Sequence, residues 1–176
     1  MMLKKRWYIG LVVGMLGLLQ GCEGISLFDS PLLEGKPFPE MKLVTYDNEP
    51  FSLKQLEGKV VILKLWATWC LVCREEAPHF LAFSKKLDDS VVIVSISVDQ
   101  NINSAKEYLL EYPNAFVQLF DQSMLQTKMV LKVSVLPQMY LIDQKGILRY
   151  FAVGSVEWDE EMLKKVQGLL GEDKHQ

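Results

Sequence analysis

Trp66-Ala67-Thr68-Trp69-Cys70-Leu71-Val72-Cys73-Arg74-Glu75-Glu76-Ala77-Pro78 is the stretch whose reading decides the fold. It follows a run of apolar, β-favouring residues at positions 60–65, and it opens a segment with helical spacing. Two cysteines separated by two residues at a strand-to-helix junction form a redox motif when a βαβ pattern surrounds them. The flanking sequence supplies that pattern.

Residues 60–66 are apolar except for Lys64, which predicts a strand buried on both faces, as in a parallel or mixed sheet. Residues 70–88 read as a helix that Pro78 should kink, with Phe80, Leu81, Phe83 and Leu87 on its apolar face. Residues 91–98 form a second buried strand, ending at Asp99. A helix over 101–111 carries Ala105, Tyr108 and Leu109 at helical spacing and stops at Tyr112-Pro113. A short strand at 116–120 precedes a helix over 124–131 capped by Asp121 or Ser123. Residues 138–142 and 147–153 make a hairpin about the turn Asp143-Gln144-Lys145-Gly146. The last helix starts at Ser155 or Asp159 and ends near Gly171. Ahead of all this lie an edge strand at 41–46, a turn at 47–50 and one helical turn at 52–57 with Ser52 as N-cap. A βαβ unit followed by ββα, after an N-terminal extension, is the thioredoxin-like α/β arrangement: a central mixed sheet flanked by helices. Right-handed crossovers leave few alternatives.

The chain of 176 residues is long enough for one domain with a real core. Its formal charge is −3, and the only charges in residues 1–21 are Lys4, Lys5 and Arg6, so a chain beginning at Cys22 carries −6. Such a body has no general attraction for nucleic acid or anionic lipid. Residues 1–21 read as a signal peptide: three basic residues, then an apolar stretch of 13 from Trp7 to Leu19. That is short of the ~20 residues a membrane span needs. Leu19-Gln20-Gly21-Cys22 resembles a bacterial lipobox, in which the cysteine is lipidated and becomes the mature N-terminus. The alternative is an uncleaved anchor with an incidental cysteine. Residues 22–36 then form a lipidated tether, residues 37–171 the domain, and residues 172–176 a polar tail. Cys22 thus accounts for the odd one of three cysteines.

Cysteines at i and i+3 of a helix start lie on one face, close enough to bridge. Cys70 falls at the helix N-terminus, where the free N–H groups and the helix dipole favour thiolate, so it is read as the exposed nucleophile. Cys73, one turn in, is the resolving thiol. A zinc site would need four ligands; only one Cys-x-x-Cys exists, and His79 and His175 are not at finger spacing. No metal or other cofactor is expected, and His79 reads as a surface helix residue.

Residues 66–78 resemble the TlpA/ResA/DsbE (CcmG) group of extracytoplasmic thioredoxin-like proteins. Gly35-Lys36-Pro37-x-Pro39, Ser52-Leu53-x-x-Leu56-x-Gly58-Lys59 and Leu141-Ile142-Asp143 followed by Gly146-Ile147 are also similar to that group. The resemblance implies a membrane-tethered thiol:disulfide oxidoreductase outside the cytoplasm that reduces protein disulfides, often in cytochrome c maturation. Its implied partners are protein thiols and disulfides, apocytochrome c among them, and an upstream membrane reductase of the DsbD/CcdA type. Glu23, which follows Cys22, leaves inner against outer membrane open. The resemblance also makes Glu76 a group that assists proton movement, against the plain reading of a solvent-facing helix glutamate. It makes Pro137 a cis-proline facing the cysteines, and Leu136 the residue whose backbone pairs with a client strand. Trp69 is placed beside the pair at the surface, Trp66 in the core. Two departures stand out. Thioredoxins carry a buried acid, and TlpA-type relatives often an asparagine, where this chain has Lys64. That lysine either tunes the pair from a buried position or snorkels out along the strand. Leu71-Val72, between the cysteines, contains no histidine to stabilise a reduced form strongly, which favours a reductase over a disulfide donor or isomerase. A non-catalytic adaptor lipoprotein is disfavoured by the intact cysteine pair, and a peroxidase by its dithiol spacing.

Overall fold

The computed structural model describes Leu32 and residues 34–111 and 115–171. The signal peptide, Cys22, most of the tether, Tyr112-Pro113 and the tail lie outside the described residues. In chain order the elements are β1 (Leu43–Thr45), β2 (Pro50–Phe51), β3 (Val60–Trp66), α1 (Leu71–Ser84), β4 (Val91–Ser97), α2 (Ile102–Glu111), β5 (Val117–Phe120), α3 (Leu125–Val130), β6 (Gln138–Ile142), β7 (Leu148–Val153) and α4 (Glu160–Gly171). Among the described residues one sheet of seven strands has the order β2-β1-β5-β4-β3-β6-β7. The central β3 pairs in parallel with β4 and antiparallel with β6, and β6 turns back into β7. This is the thioredoxin-like fold.

All seven residues of β3 are buried. Period-two alternation sends Val61, Leu63 and Leu65 to one core and Val60 and Ile62 to the other, which is why the strand reads as a continuous apolar run. The first core is closed by Ala105 of α2, by Leu131 and Val133 after α3, and by Leu32 and Met41 from the N-terminal extension. The second is closed by Phe80 and Phe83 of α1 and by Met162 and Val166 of α4. Trp158, just before α4, wedges between Phe80 and Phe83 at ring distances of 4.4 and 5.1 Å.

Several elements depart from expectation. Pro50 begins a two-residue edge strand rather than closing a turn, so β1 is covered on both sides. An edge position tolerates proline because its missing N–H faces no partner. Helix α1 begins after Cys70, runs through Pro78 and ends at Ser84, short of 88, where tight-turn bonds from Lys86 and Leu87 to Phe83 and Ser84 close it. Helix α3 is a shortened version of the expected one. Ser123 and Met124 are left-handed, and the buried Asp121 reaches past them to accept the Gln126 and Thr127 N–H groups at 2.9 and 2.7 Å. Asp159 caps α4 through Glu161 and Met162. The packed unit also extends upstream of residue 37: Leu32 is buried in the first core, and Gly35 and Lys36 bond to Leu148 at 2.7 and 2.9 Å.

Phe83 seats α1 on the sheet and touches Trp158. Phe83→Ala should lower the unfolding free energy by about 3–5 kcal/mol, read from the midpoint of urea denaturation.

Candidate active site

The site is assembled by the neighbours of β3. Parallel register sets Trp66 beside Ser97, so two residues on, Thr68 faces Asp99. The Asp99 carboxylate accepts the Thr68 N–H at 3.1 Å, the Thr68 hydroxyl at 2.7 Å and the Ser97 hydroxyl at 2.8 Å. This buried carboxylate ties down the loop that carries Trp69 into Cys70. Antiparallel register sets Leu65 beside Gln138, which brings Pro137 to the same end of the sheet. The Leu136-Pro137 bond is cis. Gln138 holds that loop by donating to the Val135 carbonyl at 3.0 Å, and the Tyr140 hydroxyl donates to the Gln138 amide oxygen.

Cys70 and Cys73 form a disulfide with S–S 2.06 Å and Cα–Cα 5.3 Å. Cys70 is the N-cap of α1, and its Sγ accepts the Cys73 N–H at 3.2 Å. The helix end therefore aims a free donor at the sulfur that must become a thiolate. Cys70 is not exposed as expected: in the disulfide it keeps 7% of its surface and Cys73 4%. Cys70 belongs to the first core, against which Leu136 also packs. Exposure belongs to its neighbours instead: Trp69 is 62% exposed, and Leu71, Val72 and Val135 also face solvent. Trp66 is in the core against Tyr108, ring to ring at 5.2 Å.

Residues 35–151 match the model of the AhpC/TSA family. The chain belongs to that family. It is 29% identical over 171 residues to thioredoxin-like protein YneN of Bacillus subtilis (strain 168), covering 92% of this chain and 97% of that one. It is 31% identical over 144 residues to the thiol:disulfide interchange protein DsbE of Pseudomonas fluorescens biotype C, covering 80% and 79%. A crystal structure described as a putative DsbE from Chlorobium tepidum superposes with a TM-score of 0.68 at 28% identity, over 80% of this chain and 99% of that chain. A redox-active Cys-x-x-Cys disulfide on this fold is the apparatus of a thiol:disulfide oxidoreductase.

Two charged residues, Lys64 of β3 and Glu76 of α1, are buried in this domain. Lys64 does not snorkel and Glu76 does not face solvent; they are 5% and 4% exposed. Lys64 Nζ lies 2.7 Å from Glu76 Oε2. The contact is a close ion pair between two buried groups. The other Glu76 oxygen accepts the Trp158 indole N–H at 2.5 Å and the Val156 N–H at 3.3 Å. Burial pushes the Lys64 ammonium below the usual lysine range, and the Glu76 carboxylate opposes that shift. Glu75 and His79 lie on the exposed side of α1.

Asp99, Trp158 and Gln138 are the site residues that sequence reasoning missed. Only Asp99 carried a signal, as a lone acid closing a buried strand that runs beside the motif strand. Asp99→Ala strands the Thr68 donors and should cost about 1–3 kcal/mol, with faster hydrogen exchange at the Thr68 amide. Burial, with the Asp99 charge adding and Ser97 opposing, pushes the Tyr46 hydroxyl up to about 12. Unfolded tyrosine ionises near ~10, so the folded state stays protonated where the unfolded state does not. Stability then falls as pH rises from 10 toward 12, and Tyr46→Phe should flatten that decline in denaturant midpoints measured across the window.

Proposed function

We propose that this protein is a lipid-anchored reductase of protein disulfides outside the cytoplasm. The single observation that carries the reading is the Cys70–Cys73 pair at the α1 N-terminus, with a backbone donor on Cys70 and apolar side chains around it. The reduced protein begins a cycle with the Cys70 thiolate, which attacks one sulfur of a client disulfide. A Cys70–client bond forms, the client S–S bond breaks, and the other client sulfur leaves as thiolate and takes a proton. Cys73 then loses its proton and attacks Cys70 Sγ, the internal disulfide forms, and the second client thiolate departs. Two electrons have passed from the cysteine pair to the client.

The client is an extended segment of protein chain. No hydrogen bond among the described residues involves the Leu136 backbone, and that residue adjoins Pro137 and the cluster holding both cysteines. Those free groups suit a strand laid across the disulfide, with Trp69 and Val135 beneath its side chains. Leu71-Val72 provides no histidine, which supports reduction rather than donation. Cytochrome c maturation is the pathway that the resemblance to the TlpA/ResA/DsbE group implies, with apocytochrome c as client and a DsbD/CcdA-type membrane protein as the source of electrons. Lipidation at Cys22 would keep the domain at the membrane.

The domain should reduce insulin disulfides at the expense of a dithiol, and Cys70→Ser should abolish that turnover; equal activity in the variant would refute the mechanism. Cys73→Ala leaves the mixed disulfide unresolved and should trap clients in vivo. Apocytochrome peptides among them would support the maturation role, while a broad mixture would indicate a general reductant. A measured potential at the oxidising end of the thioredoxin-fold range would replace reduction with disulfide donation.

A further inference from the structure

The two ends of the buried ion pair open on different spaces. Glu76 lines a polar groove of 410 Å³ between α1 and the segment before α4, with Val72, His79, Glu157 and Asp159. Lys64 lines a separate, largely apolar pocket of 60 Å³ with Cys73, Phe80, Ser95 and Tyr108, and Glu76 is not among its walls. The carboxylate is held from the far side by Trp158 and Val156, and the ammonium is held by the carboxylate. Nζ also sits over the Phe80 ring, 4.7 Å from its centroid, and 5.2 Å from that of Trp158. The pair is therefore a fixed dipole whose positive end alone shares a cavity with the resolving cysteine.

We propose that Lys64 is the counter-charge for the Cys73 thiolate during release of the client, and that Glu76 is a positioning residue that holds Lys64 charged and in place. The proposal rests on the disulfide-exchange reading and assigns a cause to its second step. In the mixed disulfide Cys73 is a buried thiol, and burial opposes its ionisation. Its proton goes to solvent, its thiolate forms facing the ammonium, and that thiolate displaces the client sulfur from Cys70. Cys70 needs no such device, because its thiolate meets the helix N-terminus. Glu76 is poorly placed to take the proton itself: it faces the other groove and already accepts two N–H donors. The ionisable group at Nζ is Glu76 of α1, and the ionisable groups that line the pocket with Lys64 are Cys73 of α1 and Tyr108 of α2. Ser95 of β4 is a further polar neighbour in the pocket, and Met139 of β6 is the antiparallel partner of Lys64.

The test is a double variant, Lys64→Met with Glu76→Gln. It removes both charges at similar volume, a change that buried ion pairs commonly tolerate. In a Cys70→Ser background, alkylation rate against pH reads the Cys73 thiol, whose pKa should rise by about one unit. With Cys70 present, resolution of a preformed mixed disulfide near neutral pH should slow by about tenfold. Attack of Cys70 on a model disulfide should keep its rate. Lys64→Met alone should shift Cys73 at least as far, since it adds an unmasked carboxylate; if that variant does not fold, the double variant decides. Wild-type values for both the Cys73 pKa and the resolution rate in a folded double variant would overturn the proposal. A wild-type protein unable to reduce insulin would instead overturn the underlying exchange reading.

Discussion

A strand buried on both faces has no route to water for a charged side chain, and β3 carries one at its fifth position. Taking an ammonium and a carboxylate out of water costs several kcal/mol each. The fold meets that cost by bringing the opposite charge from α1 to 2.7 Å and fixing the carboxylate with donors from the segment before α4. The strand, the active-site helix and the segment before α4 are thereby referred to one another at a single point. Stability alone does not account for this arrangement. Two apolar residues of similar size would hold the same three elements as well or better, as they do elsewhere between Phe83, Met162 and Val166.

The same strand organises the surface above it. Its parallel neighbour delivers Asp99 to the loop before Cys70, and its antiparallel neighbour delivers Pro137 to the opposite side of the motif. The two loops are held by different means. Asp99 uses charge-assisted bonds to Thr68, whereas the proline loop depends on neutral amide and hydroxyl groups from Gln138 and Tyr140. The rigid partner is thus attached to the cysteines, and the more weakly bonded one lies where a client strand would pair.

The central strands, the hairpin and the cysteine pair were legible because their signals are local. Apolar runs, a turn ending in glycine and an i, i+3 spacing each lie within a few residues. Lys64 and Glu76 could each be singled out, the first for breaking an apolar run and the second for its place on the cysteine face. Their pairing could not be read, because the depth of α1 on the sheet is set by Phe80, Phe83 and Trp158. Trp158 lies 82 residues beyond Glu76 in the chain. Asp99 reaches Thr68 across 31 residues through strand register, which periodicity does not encode. Edge strand β2 escaped for a different reason: two residues with a leading proline carry turn chemistry more strongly than strand pattern.

The two cysteines sit in different surroundings. Besides its apolar surroundings, Cys70 has a backbone donor from the start of α1, which would persist through most side-chain substitutions. The environment of Cys73 is shaped by side chains drawn from β3, α1 and α2. Between the cysteines, Leu71 and Val72 turn outward and are 67% and 42% exposed, so they add apolar contact surface and no charge. The layer underneath is different in kind: there one lysine, paired with Glu76, occupies a position that the surrounding hydrocarbon would otherwise forbid.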